Sequence, residues 1–229
     1  MKLKDKRATT LTDISQLLMS DEFIHSDTPY EMWIGIDPSS SNTGISVCVH
    51  NPVTGSVFVV GCVSIKPVGK LERHKCYDLF CEMRKVLKYI LEDHQTLTTL
   101  YRYSATIHVA IEIPAFIGGG KQRLNRDMVH RDSVTACRLA VSEVLPEYQD
   151  DFYIYGEKSL WEHKDKKEKP IRPIEIQGQA GAVKIPKKLK KQKVQEWVEE
   201  STTVMIPFKS HDESDAAGVV LTAINKGDR

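Results

Sequence analysis

The sequence predicts an α/β fold in a single main domain, with a mixed five-stranded sheet flanked by helices. Three observations carry this. Three β-rich runs come first, separated only by turn chemistry. Segments of helical and strand period then alternate. Hydrophobic content of 41% with 28% charged residues describes an ordinary globular chain, and 229 residues suit one domain with insertions.

The elements follow in order. Residues 1–30 are polar, with one short amphipathic piece from Ile14 to Phe23, and read as an N-terminal appendage to a domain spanning 31–229. Met32–Asp37, Thr43–Val49 and Ser56–Ile65 are strands, joined by Pro-Ser-Ser-Ser-Asn and Asn-Pro-Val-Thr-Gly. Such short connections favour an antiparallel meander. Between Leu71 and His94 the period changes. Leu79, Phe80, Met83, Val86, Leu87, Ile90 and Leu91 recur at three and four, the stripe of an amphipathic helix. Ile107–Ile113 returns to strand, Asp132–Leu145 is a helix that Pro146 ends, and Phe152–Tyr155 is a short strand. Residues 162–186, rich in Lys, Pro, Gly and Gln, have no periodicity and read as a basic loop or insertion. Lys187–Glu200 and Asp212–Asn225 close the chain as helices.

Composition excludes several classes. The five cysteines form no CxxC pair and fall mostly in apolar segments, which points to reduced, buried thiols, a reducing compartment and no structural zinc. No apolar core follows the basic opening MKLKDKRATT, and no run approaches the ~18 apolar residues of a membrane span, so neither a secretory signal nor a membrane partner is expected. The net charge of +1 is unevenly spread. Glu162–Lys193 holds eleven Lys/Arg against four Asp/Glu, a segment that could face a polyanion.

Four acids stand where a half-buried structure has little use for them. Asp37 ends the first strand, in WIGIDPSSSNTGISVCV, and Glu112 sits in the apolar strand VAIEIPAF. Asp212 and Asp215 open the helix HDESDAAGVVLTAI, with i, i+3 spacing that puts both on one face. Each has a plainer reading. Asp37 before Pro38 suits a turn, Asp212 an N-cap, and Asp215 the acid favoured in a first helical turn. Glu112, between Ile111 and Ile113, has neither excuse. Carboxylates gathered from separate elements repel unless a cation neutralises them, and oxygen-only ligands select Mg²⁺ or Mn²⁺ over zinc. Two such ions ~3.5–4 Å apart can activate water and stabilise the leaving oxygen of a phosphodiester. No organic cofactor is expected. The glycines Gly118–Gly120 lack the spacing of a phosphate P-loop.

The element order is that of the ribonuclease H-like fold, and IGIDPSSSNTGISV, VAIEIPAF and HDESDAAGVVLTAI resemble the three acidic motifs of the RuvC family of Holliday-junction resolvases. The resemblance implies that Asp37, Glu112, Asp212 and Asp215 are the catalytic, metal-binding acids. It also implies a homodimer that cuts a four-way DNA junction symmetrically. The family places lysines at the start of the helix before the last motif. KIPKKLKKQKVQEWV then makes Lys191 the best match for stabilising charge on the phosphate, with Lys187, Lys188, Lys190 and Lys193 as DNA contacts. In FIGGGKQRLNRD, Phe116 matches an aromatic that wedges between bases, and Lys121, Arg123 and Arg126 reach phosphates. Trp161 has packing as its expected job, and His211 is a weaker candidate for orienting water or contacting phosphate. The 162–186 segment departs from the compact bacterial pattern, and together with the N-terminal appendage it suggests a divergent member, from a phage, a virus or an organelle. Two rival functions remain open: a nuclease of the same metal site with another substrate (a broader flap or fork nuclease, or an RNA-cleaving relative), and a non-catalytic junction-binding module.

Overall fold

The computed structural model describes residues 30–93, 106–113, 121–145, 152–156 and 187–227. The 1–30 appendage (apart from Tyr30), the 162–186 loop, Phe116 and Trp161 lie outside the described residues. Five strands appear where sequence patterning places them: β1 (Glu31–Asp37), β2 (Thr43–His50), β3 (Val57–Ile65), β4 (Thr106–Ile113) and β5 (Phe152–Gly156). The helices are α1 (Glu72–Lys88), continued by a π-helical turn at Tyr89–Asp93, α2 (Lys121–Val144), α3 (Lys187–Ser201) and α4 (His211–Gly227). A two-residue strand, β6 (Thr203–Val204), extends one sheet edge and gives the order β5-β4-β1-β2-β3-β6.

The meander expected from the short turns is present. β1 pairs antiparallel with β2, and β2 with β3, with a register shift at Val47/Cys48. β4 lies parallel to β1 on its other side, and β5 parallel to β4. Alternation along β1 divides its side chains between two layers. Met32, Ile34 and Ile36 join one core with Leu79, Met83 and Leu87 of α1 and Val134, Cys137 and Val141 of α2. Trp33 joins a second core, on the opposite face, with Val194 and Val198 of α3 and Ala217, Val220 and Ile224 of α4. The result is a helix–sheet–helix sandwich. Leu79, Met83 and Leu87 are fully buried, and each contributes about 1.5–3 kcal/mol.

Helix α2 starts at Lys121, eleven residues before the start that apolar periodicity predicts. KQRLNRD is rich in good helix formers but carries no apolar stripe, so propensity extends the helix where patterning is silent. The free thiols of Cys48, Cys62 and Cys137 are buried, and burial pushes all three up, Cys62 to about 12. No helix among the described residues is long and apolar enough to cross a membrane.

Two glycines set how closely α4 rides on the sheet. A Cβ on Gly35 would fall on the Ala216 carbonyl and the Val220 methyl, and one on Gly44 would fall on the Asp212 carbonyl. The absence of these two methyl groups lets the first turn of α4 lie directly against β2 and its next two turns against β1.

Candidate metal centre

The acids gather at one end of the sheet for reasons of register. Ile36 pairs with Ile111 in the parallel β1–β4 ladder, so Asp37 and Glu112 emerge side by side where both strands end. Asp37 shares its face of β1 with Trp33 and Gly35, the face on which α4 packs. Helix α4 supplies the remaining two acids from its first turns. Asp37, Asp212 and Asp215 each offer a carboxylate oxygen, and these atoms lie within 4.8 Å of one another. All four predicted acids are half-buried, and Asp37 interacts with each of the other three.

The electrostatics follow from this crowding. Burial first, then the charge of Glu112 and a hydrogen bond to it, then the charges of Asp215 and Asp212, hold the Asp37 carboxyl well above the usual carboxylate range. Two carboxyl groups share a hydrogen bond only when one of them holds a proton. Either a shared proton or a divalent cation would relieve the repulsion in such a cluster. A set of half-buried, oxygen-only donors fits a hard cation such as Mg²⁺ or Mn²⁺.

The turn reading of Asp37 and the cap reading of Asp212 find other residues in those roles. Ser210, not Asp212, caps α4: the Glu213 N–H donates to Ser210 Oγ at 3.3 Å. In the turn after β1, the Ser39 N–H donates to Thr43 Oγ1 (3.0 Å), whose hydroxyl donates back to the Ser39 carbonyl (2.8 Å). The Ser41 N–H donates to Ser39 Oγ at 3.2 Å. Hydroxyl groups close that turn, leaving the carboxylate of Asp37 for the centre.

Three supporting residues escape the sequence reading. The Asn42 side-chain amide donates to the Asp212 carboxylate, orienting it from the β1–β2 turn. The Ser46 hydroxyl donates to the Glu213 carbonyl at 2.7 Å. Glu213, only 1% exposed, accepts the Ser64 hydroxyl at 3.1 Å and the Lys209 N–H at 2.7 Å. Of these, only Glu213 leaves a trace in sequence: Ser210-x-x-Glu213 is the spacing of a capping box. Asn42 and Ser46 are indistinguishable from ordinary turn and strand residues until the fold brings α4 to them.

The remaining candidates are placed by their elements alone. Lys187, Lys188, Lys190, Lys191 and Lys193 fall on the first two turns of α3, and Lys121, Arg123 and Arg126 on the first two turns of α2. Their side chains lie outside the described residues. His211 is the first residue of α4, half-buried, and its Nδ1 has no hydrogen-bond partner among the described residues.

A mixed sheet with an antiparallel meander, a parallel β1–β4 pair and carboxylates converging at the strand ends defines a ribonuclease H-like fold with an acidic centre. Within that class the fold is RuvC-like. Thermus thermophilus RuvC in complex with a Holliday junction substrate is similar over 86% of this chain and 96% of its own, at 14% identity and a TM-score of 0.53. A second Thermus thermophilus RuvC structure gives 16% identity, the same coverage and 0.52. The yeast mitochondrial Holliday junction resolvase Ydc2 is 14% identical over 90% of this chain and 86% of its own, with a TM-score of 0.45. No protein-family model matches the sequence, and no curated protein matches it.

Proposed function

We propose that this protein is a metal-dependent endodeoxyribonuclease that resolves four-way DNA junctions by paired, symmetric phosphodiester hydrolysis, acting as a homodimer. The observation that carries the reading is the convergence of Asp37, Asp212 and Asp215 on one small volume, with Glu112 beside Asp37. Mg²⁺ or Mn²⁺ bound there as a pair would supply activation of a water and stabilisation of the leaving oxygen. Asp37, Glu112, Asp212 and Asp215 would be the ligands. Asn42 would hold Asp212 in its ligating orientation, and the Asp37–Glu112 pair would release its shared proton on metal entry. Lys191 would offset charge on the phosphate, and Phe116 with the flanking Lys and Arg residues would engage the junction.

The test is cleavage of a labelled synthetic four-way junction with and without Mg²⁺. The expected result is two symmetric nicks that depend on metal. Asp37→Asn should cut at least about a hundredfold more slowly, the usual size of losing a key electrostatic group, while still binding the junction. Wild-type-like cutting by that variant would overturn the ligand role. Equal rates on flaps, forks and junctions would replace junction resolution with a broader branched-DNA nuclease.

A further inference from the structure

We infer that residues 66–75, linking β3 to the first turn of α1, form a phosphate-binding rim beside the acidic centre, along which one strand of the DNA substrate runs. This rests on the nuclease reading above and assigns it a surface outside the lysine-rich helix and the glycine-rich segment.

Strand register places the rim. Asp37 at the end of β1 faces Gly44 near the start of β2, and Thr43 faces Ile65 at the end of β3. Lys66 therefore leaves the sheet at the same end as the acids, two strands from Asp37. That is about 10 Å at ordinary strand spacing, or roughly three base steps along a DNA strand. The Ser64–Glu213 hydrogen bond ties this strand end to the turn of α4 that carries Asp212 and Asp215.

The segment is built and cationic. The Val68 N–H donates to the Asp78 carboxylate at 2.6 Å, and Gly69 packs so closely on the first turn of α1 that a Cβ there would meet His74. Lys66, Lys70, Arg73 and His74 are exposed. Of the nearby acids, Glu72 is paired with Lys75 at 2.9 Å and Asp78 is occupied by the Val68 N–H, so among the described residues Lys66, Lys70 and Arg73 have no acidic partner. Apolar surface lies among them, with Val68 60%, Leu71 48% and Tyr77 69% exposed. Tyr77 follows Arg73 by one helical turn on α1, so an aromatic and a cationic residue share one exposed face, a combination suited to nucleic acid.

The chemistry calls for such a rim. Four clustered carboxylates project a negative field that repels a polyanion. Metal ions offset that field at the centre but not along the approaching strand, where uncompensated cations lower the repulsion and release counterions.

The experiment measures binding of a fluorescent four-way junction in EDTA across a salt series. It compares the wild-type chain with the triple variants K66A/K70A/R73A and K66R/K70R/R73K. The alanine variant should bind about tenfold or more weakly near 0.1 M salt and lose between two and three units of the log Kd against log salt slope. The charge-retaining variant should keep the slope, and the Mg²⁺-induced rise in Tm should be the same in all three. An unchanged slope with normal junction binding, or a change confined to oligomeric state, overturns the rim and leaves the nuclease reading standing. A wild-type chain that binds no branched DNA overturns both.

Discussion

The Ser64 hydroxyl donates to Glu213 Oε1 at 3.1 Å, joining the end of β3 to a buried acid that lies between Asp212 and Asp215 in the chain. With the Lys209 N–H on its other oxygen and the Ser46 hydroxyl on its carbonyl, Glu213 fixes the first turn of α4 on the sheet. Its carboxylate therefore serves the geometry of two acids without joining them.

Glu213→Ala leaves the Ser64 hydroxyl and the Lys209 N–H without their acceptor. Unfolding by urea should show a loss of about 1–3 kcal/mol. The Mg²⁺-induced rise in Tm should shrink as well, because Asp212 and Asp215 lose their anchor. Glu213→Gln, which keeps the shape and an acceptor oxygen, should recover part of both. A full metal response in the alanine variant would show that α4 is positioned without this acid.

Gly44→Ala places a methyl group on the Asp212 backbone, so strand and helix must separate. Overpacking of this kind costs about 1–3 kcal/mol, and here the displaced residue is a proposed ligand. The expected outcome is a lower urea midpoint together with weakened Mg²⁺ stabilisation. Gly55→Ala is the contrast. Gly55 has φ of 72° and open space around its missing Cβ, so its cost is backbone strain of about 1–2 kcal/mol. Its metal response should be unchanged.

At the opposite end of β1, Glu31 governs an acid-sensitive contact. Burial pushes its carboxyl up. The hydrogen bonds from His50 (2.9 Å) and the Trp33 indole (3.1 Å), with the charges of His108 and His50, outweigh burial and bring it below its ordinary 4.5. A depressed carboxylate contributes stability that is present above pH 4.5 and lost as pH falls through its lower, folded-state value. Glu31→Gln should therefore have a lower Tm than wild type at pH 6–7. The gap should narrow below pH 4.5, as measured by thermal melts across pH. A gap independent of pH would assign the effect to packing against Trp33, which stacks on His108 with centroids 4.2 Å apart.

By itself the sequence determined the local elements and singled out the acids as candidates. Strand and helix periods follow from which side chains must be buried. A Glu between Ile111 and Ile113 is conspicuous because an apolar strand has no ordinary place for it. Even so, the early start of α2 was hidden, since helix formers without an apolar stripe leave no periodic signal. The tertiary structure alone decided which strands are neighbours and how near α4 approaches. The parallel β1–β4 register places Asp37 against Glu112, and two missing methyl groups at Gly35 and Gly44 bring Asp212 and Asp215 to them. Asn42 meets Asp212 across 170 positions of chain. Periodicity encodes burial residue by residue, whereas contacts of that separation arise only when packing chooses partners, and the centre is made of such contacts.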